Sequence, residues 1–306
     1  MSLSTPSVSI LGLGAMGGVL AHTLLKSGCA VTVWNRSAER AAPLVQAGAT
    51  LAVDVQSALQ ASDLIVICMI DKAASETVLS SLGPTFDLGG KTLVNMSTGT
   101  VADVERLARW ADEHNARYLD GGILCYPKDI GAAKTAILYS GHPQAWEEHQ
   151  QTLKILAGNP RYLGADPKAC TPTYLALYAF YFGAFAAWLE GTVLASSAGV
   201  AVDDFKHLSS IMTDMLVDGI DTAADRITAG EYGGEQASVD VHVAGQEVVL
   251  DALVSAKVPH ASTDAYLSYC RMAQAAGMGD QDIAAVYKAM QPATTRFFPP
   301  RKSSPP

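Results

Sequence analysis

Residues 8–18 read "VSILGLGAMGG": an aliphatic, β-branched run that breaks into glycine and continues into small residues. Gly12, Gly14 and Gly17 stand in G-x-G-x-x-G spacing, directly after a strand pattern and at the start of a helix running from about Ala15 to Ser27. Gly12 permits the tight turn, Gly14 lets backbone approach a pyrophosphate, and Gly17 lets helix and sheet pack closely. The unsatisfied N–H groups and positive dipole end of the helix attract phosphate charge. A glycine triplet alone is a weak signal and can be an accidental turn. Between a strand and a helix it reads as the phosphate turn of a dinucleotide site, with Ala15 and Met16 completing the cofactor loop.

Working outward, apolar runs alternate with helical patterns from residue 8 to about 164: "VSILGLG", "AVTVWNR", "DLIVICMI", "KTLVNMS", "ARYLDGGIL" and "AILYSG". Strands separated by 10 to 15 residues of helix are the pattern of βαβ units and of a parallel sheet covered on both faces. Right-handed crossovers make this a doubly wound α/β domain of the Rossmann kind. After "RYLGADPKACTP" (161–172) the strand signals stop, and Thr173 to Gln291 reads as helix. The expected organisation is a cofactor domain over residues 1–168, an all-α domain over 169–294 that opens with a long helix, and a Pro- and Ser-rich tail over 295–306, too poor in apolar surface to order itself.

That long helix, "TYLALYAFYFGAFAAWLEG" (173–191), is apolar from Leu175 to Leu189 and closed by Glu190. The run falls short of the roughly 20 residues of a membrane span, so it reads as a helix buried on all sides. The N-terminus lacks the basic region and cleavage site of a signal peptide. The five cysteines are scattered, with no C-x-x-C and no metal-ligand spacing, and read as reduced thiols in a cytoplasmic protein without a metal. A net charge of −9 with no basic run disfavours nucleic acid and anionic membrane as partners. Small molecules remain.

The end of the second strand distinguishes between cofactors. An NAD enzyme places an acid there to hold the ribose 2′-hydroxyl; this chain has Asn35, Arg36 and Ser37. An Arg without an acid favours the 2′-phosphate of NADPH through charge-assisted hydrogen bonds. The alternative for Arg36 is a solvated surface charge.

Taken in order, "GLGAMG", "VTVWNRS", "ICMIDKAASETVL", "NMSTGT", "YLDGGILCYP" and "AILYSG" resemble the imine reductases and reductive aminases, relatives of the β-hydroxyacid dehydrogenases, from residue 8 to about 290. The resemblance implies a Rossmann domain, a long interdomain helix, and a helical domain exchanged between the two subunits of a homodimer. Each active site would then combine one subunit's nicotinamide pocket with the other's helices, and the substrate would be an imine or amine. The resemblance is what favours an interface for the long helix; a core helix within one subunit explains its apolarity equally well.

Hydride transfer to C=N or C=O calls for a group that protonates or orients the heteroatom. In the β-hydroxyacid dehydrogenases this is a Lys at the start of the interdomain helix with an Asn four residues on. Here the nearby Lys168 lies in a Pro-containing loop and is followed four residues later by Pro172. The imine reductases carry Asp or Tyr at the site, and alignment puts Tyr174 there, the type that tends to give the S amine. A phenol with an ordinary pKa near 10 stays protonated at neutral pH and can donate; an iminium, already protonated, needs only alignment. The alternative for Tyr174 is plain aromatic packing.

Tyr178 and Phe182, one and two turns on, would line the same face. Ser97 and Thr98 end a strand at the sheet edge where ligands of open α/β folds bind, or, with Thr100, cap the next helix. Met69 joins the cofactor set. His242 and Met212 are pocket residues by resemblance, or packed helix residues. Asp120, Gly121 and Gly122 shape the sheet edge, and Asp71 either faces the cleft or caps a helix. The expected function is NADPH-dependent reduction of a cyclic, hydrophobic imine. A β-hydroxy acid dehydrogenase would want the Lys and Asn pair, and a non-catalytic NADPH-binding protein is the alternative from another class.

Overall fold

The computed structural model describes residues 5–234 and 237–292, which form two compact units divided between Tyr178 and Ala179. The first holds strands β1 Ser7–Leu11, β2 Ala30–Trp34, β3 Thr50–Leu51, β4 Leu64–Ile67, β5 Thr92–Asn95, β6 Arg117–Ile123, β7 Ala136–Gly141 and β8 Asn159–Tyr162. Its helices are α1 Ala15–Lys26, α2 Ala42–Gln46, α3 Val55–Gln60, α4 Lys72–Leu79, α5 Val101–Glu113 and α6 Pro143–Leu156. Helix α7, Cys170–Ser197, carries the unit boundary, and the second unit continues with α8 Val202–Ala229, α9 Val239–Ser255, α10 Ala261–Ala275 and α11 Val286–Met290.

The strands form one sheet in the order β3-β2-β1-β4-β5-β6-β7-β8. Neighbours on opposite sides of β1 are β2 and β4, so the chain switches direction across β1 and leaves a crevice at the C-terminal ends of β1 and β4. Alternation along the strands feeds two cores: Val8, Ile10, Val66 and Val94 pack with α1 residues Leu20 and Leu24, while Leu11, Ile65, Ile67 and Leu93 pack with Leu59, Leu79 and Leu107.

Three features depart from the sequence expectation. β7 runs antiparallel to β6, because the connection between them holds only a short 3-10 turn, Pro127–Asp129, and no crossover helix. β3 and β8 lie at the sheet's two edges; β3 has two residues and β8 reads "NPRY", and neither has the apolar run that marks a buried strand. Pro160 is tolerated because β8 is an edge. The expectation of a disordered tail falls on residues outside the described ones.

Helix α7 is also not buried on all sides within its own chain. Cys170, Thr171 and Tyr174 are buried, whereas Leu175, Phe180, Phe182, Phe185, Leu189 and Val193 are exposed. By length and composition the helix with its preceding turn, Pro167–Ser197, could cross a membrane, which is weak grounds because helices of soluble proteins meet the same measure. In the second unit Trp188 of α7 donates from Nε1 to Ser209 Oγ at 3.0 Å and Glu190 accepts from the Ser262 amide at 3.1 Å. Val239, Val243, Leu267, Cys270 and Ala273 form that unit's core. Helix α8 has no buried residue; Leu208, Ile211, Met212, Met215 and Val217 are all exposed.

Candidate active site

The turn after β1 is built as its glycines require. Gly12 has φ of +96° and a Cβ there would lie 2.3 Å from the Cys68 carbonyl oxygen, while a Cβ on Gly17 would lie 2.0 Å from the Gly12 oxygen. A side chain at either position would break the turn. Gly14 faces open space and N-caps α1 without any side-chain cap, and no acidic residue occupies the first turn. The first N–H groups of α1 are thus left for an anion. Asn35 braces this turn: its Oδ1 accepts from the Leu13 amide at 2.9 Å and its Nδ2 donates to the Ser37 oxygen at 3.0 Å. Arg36 beside it is exposed, and no carboxylate among the described residues pairs with it.

A cavity of about 180 Å³, room for several waters, opens at the C-terminal edge of the sheet and is lined by Met16, Met69, Ser97, Thr98, Tyr174 and Tyr178 together with Gly121, Gly122, Ile123 and Cys125. Met16 comes from α1, Met69 follows β4, Ser97 and Thr98 follow β5, and the tyrosines come from α7. Sequence reasoning therefore gathers six of its candidates on one cavity. Ser97 is buried, with its hydroxyl accepting from the Met69 amide at 2.9 Å and facing Ser75 Oγ at 3.0 Å. Thr98 is exposed toward solvent. The capping roles fall elsewhere: Thr100 and Asp103 form a capping box on α5, and Asp71 caps α4 through the Ala74 amide at 2.7 Å.

Tyr174 is 3% exposed. Its phenol oxygen accepts from the Gly99 amide at 3.2 Å and its hydroxyl reaches the Gly99 carbonyl at 3.4 Å. Burial pushes its pKa above the ordinary 10.0, the Gly99 hydrogen bond pulls it back, and the negative charge of Asp120 raises it again. The Tyr178 hydroxyl donates to the Ile123 carbonyl at 2.6 Å, and its ring meets that of Tyr174 edge-on with centroids 6.1 Å apart.

Bonded to the lining residue Ser97 is a buried ion pair whose lysine sequence reasoning missed. Lys72 is fully buried and its Nζ stands 3.0 Å from Asp120 Oδ1, also buried. Burial drives the Asp120 carboxyl above its usual range, and the Lys72 ammonium and the Thr171 hydroxyl hold it back. Lys72 is not legible as a site residue, because a lone Lys in the first turn of a helix ordinarily lies on the surface.

Known proteins match most of the chain. Residues 7–164 fit the family of the NAD binding domain of 6-phosphogluconate dehydrogenase, and residues 166–292 fit the C-terminal domain of NADPH-dependent reductive aminase-like proteins. An NADPH-dependent reductive aminase of Aspergillus oryzae is 30% identical over 282 residues, 91% of this chain and 95% of that one. An imine reductase structure from Pseudomonas sp. shares 71% identity at a TM-score of 0.91, covering 94% of this chain and all of its own. The chain belongs to the imine reductase and reductive aminase family. A reductive aminase of Aspergillus terreus, solved with NADPH and ethyl levulinate, superposes at a TM-score of 0.87 with 33% identity, covering 94% of this chain and 100% of that one.

As a member of that family the chain has a turn that fits a dinucleotide: an uncapped helix N-terminus, an open Gly14 and a free Arg36 at the end of β2. Lys168 is half exposed and 3.4 Å from Glu105, an ion pair on the surface of the first unit, away from the cavity lining. The remaining sequence candidates lie in the second unit. Phe182 is 59% exposed and Met212 is exposed. His242 is half buried, its Nδ1 2.9 Å from the Tyr266 hydroxyl, and burial lowers its pKa while the Asp282 charge opposes this.

Proposed function

We propose that this chain is an NADPH-dependent imine reductase whose first unit holds the cofactor at the glycine turn and whose Tyr174 donates a hydrogen bond or proton to the imine nitrogen. The observation that carries the reading is Tyr174 itself: a buried phenol with a raised pKa, on the same cavity as the loops after β1, β4 and β5. NADPH, when bound, supplies the hydride. The backbone N–H groups of α1 hold its pyrophosphate, Arg36 and Ser37 its 2′-phosphate, and Met16, Met69, Ser97 and Thr98 wall its nicotinamide end. The Gly99 amide and carbonyl hold the phenol oxygen, and burial favours its protonated form.

The substrate reading is a cyclic, hydrophobic imine reduced to the S amine. Its support is the aromatic and thioether groups among the lining, Tyr178, Met16 and Met69, and the family tendency of a Tyr at this position; Phe182, Met212 and His242 of the second unit are substrate-lining candidates by family resemblance alone. The helical half, 169–294, would pair with a second copy of the chain in a domain-exchanged homodimer. The exposed apolar faces of α7 and α8 are the support for a covering partner, and a second subunit covers them without a membrane. Five free, scattered cysteines suit a cytoplasmic location.

The test is oxidation of NADPH at 340 nm with a 2-substituted pyrroline, beside a β-hydroxy acid with NADP. The expected outcome is turnover of the imine alone. Turnover of the hydroxy acid alone favours the β-hydroxyacid dehydrogenase reading, and NADPH binding without either turnover favours a non-catalytic protein.

A further inference from the structure

We propose that Lys72 and Asp120 form a buried positioning pair that aims the Tyr174 phenol, an inference that rests on the role given to Tyr174 above. The pair stands where the segments of the cavity meet. Lys72 Nζ donates to Asp120 Oδ1 at 3.0 Å and to the Ser97 carbonyl at 2.6 Å, and the Lys72 amide donates to the Thr98 carbonyl at 2.8 Å. The other Asp120 oxygen accepts from Thr171 Oγ1 at 2.6 Å, in the first turn of α7.

Both arms of this group end at Tyr174. On one side the Lys72 side chain lies so close under Gly99 that a Cβ there would come within 2.8 Å of it, and Gly99 is the residue that hydrogen-bonds the phenol. On the other side Asp120 ties down Thr171, three residues before Tyr174 on the same helix. The ammonium itself lies 5.9 Å from the Tyr174 ring centroid, within reach of its electrostatic field. A buried ion pair is poor at raising stability, since apolar replacements of similar volume are often as stable or more so. Fold stability therefore does not account for the pair, whereas the placement of a phenol that must meet a reacting nitrogen does.

The experiment is a coupling cycle on the intact enzyme: Lys72→Met/Asp120→Asn, Tyr174→Phe, and all three together, each read as kcat, KM for NADPH and melting temperature. Neutralising both charges at once avoids leaving one buried and alone. The expected result is a kcat fall of at least about 10-fold for the neutral pair in the native background, with KM for NADPH unchanged, and no further fall when Tyr174 is already Phe. An equal loss in both backgrounds, or full activity of the neutral pair, overturns the positioning role while leaving Tyr174 in place. A Tyr174→Phe enzyme at full rate overturns both readings, because no phenol remains for the pair to act through. Should the neutral pair fail to fold, Thr171→Val, which leaves both buried charges paired and severs the link from Asp120 to α7, is carried through the same cycle against the same outcomes.

Discussion

In the proposed reading, cofactor choice rests on Arg36. It is exposed at the end of β2 with no carboxylate partner among the described residues, and each charge-assisted hydrogen bond to a phosphate is worth about 1.5–3 kcal/mol. Arg36→Ala should raise KM for NADPH roughly 10- to 100-fold and leave KM for NADH little changed, measured by initial rates with each cofactor. With Tyr174 as the proposed donor, its phenol should set the alkaline limit. A donor works only while protonated, and burial raises this phenol above 10.0, so kcat should hold through pH 9 and fall only above pH 10 in a pH–rate profile. Arg36 is picked out in the sequence by its place at the end of the second strand, and Tyr174 by the family resemblance. Lys72 is not legible there, and Asp120 is legible only as part of the sheet edge, because burial of a charge depends on which distant segment, here β6, lands beside α4. Asn35 is intermediate: its position is legible, but its service to the Leu13 amide appears only when the turn closes.

At the scale of elements, the turn from β1 into α1 tolerates little change. Gly17→Ala would bring a methyl within bonding distance of the Gly12 oxygen, so the turn must open, and the pyrophosphate seat opens with it. NADPH affinity, measured by isothermal titration, should drop at least about 10-fold, while helix content by circular dichroism stays near that of the native protein because α1 itself is undisturbed beyond its first turn. The long-period pattern made this element, β2 and β4 to β6 readable from sequence. β3 and β8 escaped because they borrow stability from a neighbour strand rather than from an apolar run of their own, and the reversal at β7 escaped because strand direction is set by the connection, which carries no hydrophobic signal. Helix α7, Cys170–Ser197, extends beyond the 173–191 stretch at both ends, and its exposed apolar residues exclude a core helix within one chain: apolar residues imply a cover, not which chain provides it.

At the scale of the molecule, that cover is the question. Leu208, Ile211 and Met215 recur at helical spacing on α8, and Ile211 is 64% exposed. Burying each in a subunit interface would contribute about 1.5–3 kcal/mol, so Ile211→Asp should weaken a homodimer. The check is mass by light scattering across a dilution series: the native protein should scatter as two chains, the variant should move toward one, and imine reduction should fall with the dimer. Detergent-dependent solubility of the native protein would instead place α7 in a lipid phase. A dimer with exchanged domains is an expectation that the family resemblance alone carries, since no single chain encodes which of its apolar faces meets a copy of itself. The measurement that bears most directly on the central claim is kcat/KM for a cyclic imine with NADPH, native protein against Tyr174→Phe. A loss of about 100-fold or more with KM for NADPH unchanged is the predicted result; an unimpaired Phe variant would contradict the assignment of Tyr174 and with it the mechanism built on this cavity.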